Sequence, residues 1–349
     1  MLFIKVMSYP LNLPLKHTST LSNSTLTPLL LALDFGGTKH TVATIYRGAQ
    51  RWHAHERAFS PRNANASTDL EIMISLAREI LAGEKPAAIG VSFGGPVDFT
   101  TGTVRLSHHV PGWETIQLRQ LIEDEFNAPA SVDNDANVAV LGEYRFGAGQ
   151  GYDSLIYITV STGVGGGWIL NGQPWRGFGG MAGEIGHTVA DPNGPICLCG
   201  KRGCVERLAS GSYIAQQVRE WLQEQPNQGQ VLRTLVNDDL NAITGQSVSQ
   251  AAAKGDALAI QALERAGWAL GIGIGNAANL INPQLFVLGG GVTKAGERFW
   301  ETLRRVARET ALPEVDFEIA QAVLGDDAPL WGAVALAEDL LANVSPKFF

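Results

Sequence analysis

The sequence contains no G-x-x-x-x-G-K-[ST] stretch and no G-x-G-x-x-G set between a strand and a helix. Any phosphate chemistry here therefore does not come from a P-loop or a dinucleotide-binding fingerprint. An uninterrupted apolar run of about 18 residues is also missing, so no membrane-spanning helix is expected. Positive charge is not in excess: 26 Lys and Arg stand against 34 Asp and Glu, a net charge of −8. That balance argues against a general electrostatic grip on DNA or RNA, which depends on neutralising phosphates. Cysteine is nearly absent, with three in the chain. Three cysteines leave one unpaired, nothing indicates an oxidising compartment, and a disulfide framework is not expected. Residues 1–28 are rich in Ser, Thr, Leu and Pro and lack a compact apolar core and an A-x-A-like cleavage site. They read as a disordered leader rather than a secretory signal, and the protein is expected in the cytoplasm.

Glycine, by contrast, is abundant, with 40 among 349 residues. At this length a single core gives way to two packed lobes. Apolar runs predict strands at 29–33, 41–46, 87–93, 130–133, 154–160, 167–170 and 285–288. Helices are predicted at 70–81, 118–126, 136–144, 212–224, 257–279 and 330–341. Both halves open with a hairpin around a loop of small residues, which implies a duplicated α/β unit with a cleft between its copies.

Three glycine loops each follow an apolar strand: Asp34 to Lys39, Ser161 to Gly167, and Gly289-Gly290-Gly291. Glycine lets backbone N–H groups approach a phosphate, and Ser and Thr hydroxyls add donors. Each loop alone could be a simple hairpin turn, but three together favour phosphate binding. Asp34, at a strand end, suits an Mg²⁺ ion carried with ATP and held through water. Asp133-Asn134-Asp135 falls where a strand meets a helix. It could serve only as an N-cap, or Asp135 could accept the proton of an attacking hydroxyl.

The cysteines all fall within residues 197–204, in the pattern Cys197-x-Cys199 with four residues before Cys204, and His187 lies ten residues upstream. This spacing fits a closed Cys₃His zinc site of structural type, with Gly194, Gly200 and Gly203 supplying turns. Glu184 and Glu206 flank the cluster and would offer fixed acceptors to the hydroxyls of a sugar.

DFGGTK, VDNDANVAVLGE, ITVSTGVGGG, GEIGH, CLCGKRGCVERLASG and VLGGGV occur in the order and rough spacing of the ROK family of sugar kinases and sugar-responsive repressors, which the chain resembles over about residues 29–345. The resemblance implies a two-lobed actin-like (ribonuclease H-like) α/β fold. A small lobe of 29–143 plus 330–345 and a large lobe of 144–329, with the zinc loop at 187–206, would enclose ATP and Mg²⁺. It implies transfer of the γ-phosphoryl group to a hexose, with Asp135 as the base and one structural Zn²⁺. Gly95, Asn134, Asp135, Glu184, His187 and Glu206 would contact the sugar, and His187 would also bind the metal. Asp34, Gly36, Gly37, Thr38 and Lys39, then Thr162, Gly163 and Gly165, and finally Gly289, Gly290 and Gly291 would hold the nucleotide.

Where relatives commonly have Ser-Pro-Asn-Leu-Pro-Gly-Trp, this chain has Ser107-His108-His109-Val110-Pro111-Gly112-Trp113. His109 replaces the usual asparagine on the sugar side, which leaves the sugar's identity open. Glucose is the first expectation, with N-acetylmannosamine, another N-acetylhexosamine or mannose as alternatives. A sugar-responsive regulator is the rival class, but the short polar stretch before residue 29 is not expected to form the helix-turn-helix domain of such proteins. A homodimer or higher homo-oligomer is expected as well.

Overall fold

The structure, a computed structural model, describes residues 27–107 and 110–344. The leader through residue 26, and His108 and His109, lie outside the described residues. Strand β1 (Leu29–Phe35) is buried along its whole length. Leu29, Leu31, Leu33 and Phe35 enter one core, whereas Leu30 and Ala32 enter another. A strand buried on both faces needs a continuous apolar run rather than alternation, as this one has.

Strand β1 pairs antiparallel with β2 (Lys39–Tyr46), and β2 with β3 (Ala54–Phe59). Helix α1 (Ala66–Leu81) leads to β4 (Ala88–Phe93), parallel to β1. A small hairpin of β5 (Val97–Asp98) and β6 (Thr103–Val104), then α2 (Leu118–Phe126), precede β7 (Ala130–Asn134), which runs parallel to β4. Helix α3 (Asp135–Phe146) carries the chain to a second sheet.

There the antiparallel strands β8 (Leu155–Val160), β9 (Val164–Leu170) and β10 (Gln173–Pro174) come first. Helices α4 (Val205–Ala209), α5 (Gly211–Glu224), α6 (Gln230–Leu235), α7 (Gly245–Ala253) and α8 (Ala257–Ile281) follow. Strand β11 (Leu285–Gly289) lies parallel to β8, and after α9 (Glu297–Thr310) β12 (Glu318–Gln321) lies parallel to β11. Helix α10 (Ala328–Val344) returns to pack on β1, β4 and α3.

The two sheets thus have orders β3-β2-β1-β4-β7 and β10-β9-β8-β11-β12, the same path traced twice. Between them lies a core built from both sheets and from α3 and α10, including Leu30, Val138, Leu155, Val287 and Val334. Among the described residues, no helix is long and apolar enough to cross a membrane.

The predicted elements all form, but several others were not legible. Strands β3 and β12 are short and largely exposed, with polar sequences that carry no period-2 signal. Helix α9 does carry a helical signal: Phe299, Trp300, Leu303, Val306 and Ala307 are buried at helical spacing among charges, a pattern that marks an amphipathic helix. The turn expected at 161–167 is shorter than its glycines imply. Strand β9 already begins at Val164, because Gly166 and Gly167 serve close packing within a strand rather than a turn.

Candidate active site

A cleft of about 670 Å³ opens where the ends of both sheets meet. From the first sheet, the β1–β2 turn contributes Asp34, Gly36, Gly37, Thr38 and Lys39, and the segment after β4 contributes Gly94, Gly95 and Pro96. The junction of β7 and α3 adds Asn134 and Asp135. From the second sheet come Thr162, Gly163 and Gly165, then Glu184, His187 and Glu206, and also Gly290 and Gly291. Gly289 is the exception among the expected lining residues. It ends β11 beneath Tyr157, where a Cβ would lie 2.3 Å from the Tyr157 hydroxyl oxygen, and it does not line the cleft.

The junction at Asp133-Asn134-Asp135 divides its labour. Asn134 is the N-cap of α3: its Oδ1 accepts the N–H groups of Ala136 at 3.0 Å and Asn137 at 3.4 Å. Its Nδ2 donates to the Gly95 carbonyl at 3.1 Å and to Asp135 Oδ1 at 3.0 Å. Asp133 is buried and held by Arg176 Nε at 2.7 Å, and the Arg176 guanidinium also lies over the Phe99 ring. With both neighbours occupied structurally, Asp135 stands in the first turn of α3 on the cleft wall. The glycines of β9 permit this approach of helix to sheet: a Cβ on Gly167 would come within 2.3 Å of the Ala136 carbonyl oxygen.

Asp135 keeps a partly open face, but the surrounding protein strips enough water to push its carboxyl up to about 6. Hydrogen bonds from Ala136 and Asn134 oppose the rise, and the Glu184 charge adds to it. Burial pushes Asp34 up to about 7, against the pull of the Ser92 hydroxyl, which donates to Asp34 Oδ1 at 2.8 Å. The Asp135 charge adds to the rise at Asp34. Two carboxyls displaced toward neutrality and facing one cleft mark a functional site rather than a structural ion pair. Ser92 and Arg176 were not singled out from sequence, because nothing local in the chain announces a partner 58 or 43 residues away.

On the far wall, His187 lines the cleft while its Nδ1 lies 4.0 Å from Cys197 Sγ. Cys199 Sγ and Cys204 Sγ are 3.5 Å apart, and all four ligand atoms lie within 4.8 Å of one another. A tetrahedron with Zn–S bonds of about 2.3 Å has edges of about 3.8 Å, so the cage is of the size a zinc ion would draw together. The loop closes on itself through Gly203, whose φ is +61° and whose Cβ, if present, would sit 1.6 Å from the Asp191 carbonyl oxygen. Immediately after Cys204, α4 carries Glu206, whose Oε2 accepts the Val164 N–H at 2.9 Å. The metal loop is thereby tied to the turn that carries Thr162 and Gly163. Glu184 is exposed in the cleft.

A second hollow of about 860 Å³ adjoins the first and shares Ser161, Thr162 and Gly291 with it. Much of its remaining wall comes from α5 and α7, including Ser212, Arg219, Gln246 and Gln250. No motif flagged these residues, since polar side chains on amphipathic helices are ordinary.

The geometry agrees with comparison to known proteins. The family model described as "ROK family" matches residues 30–340. The chain is 35% identical over 311 residues to a glucokinase of Halalkalibacterium halodurans, covering 86% of this chain and 92% of that one. It superposes on the ROK family glucokinase of Streptomyces griseus, crystallised with glucose and AMPPNP. There the TM-score is 0.77 and the identity 32%, over 89% of this chain and 99% of that one. The ROK hexokinase of Thermus thermophilus gives a TM-score of 0.76 and 30% identity, over 90% and 99%. The duplicated sheets are those of the two-lobed actin-like fold, and the chain belongs to the ROK family.

Proposed function

We propose that this protein is an ATP-dependent sugar kinase that transfers the γ-phosphoryl group of ATP to a hydroxyl of glucose. The observation that carries the reading is one cleft in which Asp34 and Asp135, both displaced toward neutrality, face glycine loops from the two sheets. The similarity to glucokinases supports glucose as the acceptor. Asp135 takes the proton of the attacking hydroxyl, a role for which a carboxyl near 6 is matched at neutral pH. Gly95, Asn134, Glu184, His187 and Glu206 hold the sugar, with His187 Nε2 facing it because Nδ1 is committed to the cysteines.

The turns at residues 36–39 and 162–165, with Gly290 and Gly291, donate to the phosphates, and the hollow beside α5 and α7 takes the nucleoside. Asp34 holds Mg²⁺, which when bound neutralises charge on the transferring group. Cys197, Cys199, Cys204 and His187 hold one Zn²⁺, whose four protein ligands leave no open position and give it a structural role. The lobes, taken as 29–143 with 330–345 and as 144–329, close to exclude water so that sugar rather than solvent is phosphorylated. The protein works in the cytoplasm as a homodimer or higher homo-oligomer, which sedimentation measures directly.

A coupled ADP-release assay across hexoses and N-acetylhexosamines tests the reading. Glucose is expected to give the highest kcat/KM. Preference for N-acetylmannosamine or mannose would replace the acceptor, and no turnover with any sugar would leave a sugar-responsive regulator.

A further inference from the structure

The chain passes between the sheets twice: once after α3, on the way to β8, and once after β12, on the way to α10. Both passages converge on one residue. Glu143, in the last turn of α3, is completely buried. Its carbonyl oxygen accepts the N–H groups of Gly147 at 3.0 Å and Gly149 at 2.9 Å. Its Oε2 accepts Ala148 N–H at 2.8 Å and Val323 N–H at 3.4 Å, and its Oε1 accepts Leu324 N–H at 2.9 Å. Among the described residues no Lys, Arg or His pairs with this carboxylate. Backbone donors alone offset its charge, Ala148 from the first passage and Val323 and Leu324 from the second. Gly147 wraps the carboxylate so closely that a Cβ there would lie 2.1 Å from Oε2.

A buried, unpaired carboxylate is costly unless hydrogen-bonded, and a shorter or uncharged residue would leave several amides without partners. We infer that Glu143 is a positioning residue for phosphoryl transfer, the fixed point of the interlobe pivot that holds both crossing segments to the end of α3. Helix α3 begins at Asp135 and carries Glu143 in its last turn, so the proposed base and the pivot share one rigid rod. Closure about that rod moves the second sheet's loops toward Asp135 while the crossings stay pinned. If the pins fail, the lobes still fold, but they close along more than one path and the loops no longer meet Asp135 in a single geometry. This inference deepens the kinase reading, and its catalytic half rests on it.

Hydrogen exchange on full-length wild type, E143Q and E143D tests it, following peptides over 145–152 and 320–327. In E143Q the amide replaces one acceptor by a donor, and in E143D the carboxylate is one methylene short. Both peptides are expected to exchange about tenfold faster or more, together, because Ala148 in the first and Val323 and Leu324 in the second lose hydrogen bonds to a charged acceptor, while β1 and β11 keep wild-type protection. Acceleration of one peptide alone, or of neither, overturns the inference. If E143Q does not fold, E143D carries the same comparison.

In the coupled assay the kcat/KM values for glucose and for ATP are expected to fall by a common factor, since both ligands depend on one closure. A loss confined to one substrate contradicts the pivot. Absence of turnover in wild type counts against the kinase reading alone and leaves the exchange result standing.

Discussion

The two halves of the molecule repeat one strand order, and at the same place in each, after the first strand, a turn of small residues faces the cleft. The first half's turn opens with Asp34, a buried carboxyl, and the same sheet delivers Asp135 at the end of β7. The second half's turn has Ser161, Thr162 and Gly163 and no acid of its own. A carboxylate reaches it from outside, when Glu206 accepts the Val164 N–H. Glu206, Glu184 and His187 all belong to the insertion between β10 and α5, which has no counterpart in the first half. Duplication therefore supplies the cleft and its two turns of small residues, and divergence gives them different surroundings. On the proposed reading the first half brings the groups that change charge, and the second brings most of the groups that recognise the sugar.

The largest expected effect breaks the chemical half alone. Asp135→Asn should lower kcat in the ADP-release assay by about 10²- to 10⁴-fold, the usual share of a general base. Near-normal turnover would take Asp135 out of that role. Next comes the recognition half. Chelation of the metal, or Cys204→Ser, should weaken glucose binding by calorimetry about 10- to 100-fold, as loss of the groups that orient a site does. ATP affinity should change less. Unchanged sugar affinity after verified metal loss would separate the cage from recognition.

The third effect is pH. Burial raises both carboxyls, Asp135 to about 6 and Asp34 to about 7. Activity needs Asp135 deprotonated, so kcat/KM for sugar should fall about tenfold per unit as pH drops below about 6. Stability runs the other way. A carboxyl with a raised folded pKa binds protons more tightly when folded, so these two groups should make the ligand-free protein less stable as pH rises from about 4 to 7. Thermal melts with and without Mg²⁺ read this, and the metal should flatten the slope.

The smallest effect sharpens the nucleotide side. In Gly290→Ala a Cβ at φ +91° would meet the Val160 carbonyl oxygen at 2.4 Å. A raised ATP KM and a loss of stability of about 1–3 kcal/mol are expected, the range for a strained backbone position.

The division between the halves was partly legible in the sequence. Clustered signals survived folding: the four candidate metal ligands lie within 18 positions, and the glycine loops each sit beside their own strand. The Asp133-Asn134-Asp135 triplet was readable as a junction but not as three separate jobs. The cap falls to Asn134, the ion pair to Asp133 and the open carboxyl to Asp135, and only tertiary partners such as Gly95 and Arg176 decide this. The β9 glycines misled as a turn because close packing and chain reversal both call for glycine. Gly289 was grouped with its neighbours in the run, although strand geometry turns it under Tyr157. The hollow beside α5 and α7 and Glu143 were silent, since each depends on segments distant in sequence coming together.

The most direct test of the division sets two proteins side by side in one glucose titration by calorimetry. Asp135→Asn should bind glucose within about threefold of wild type, while metal-stripped wild type should bind at least about tenfold more weakly. The opposite pattern, with affinity lost in Asp135→Asn and kept after metal removal, would contradict the assignment of chemistry to the first half and recognition to the second.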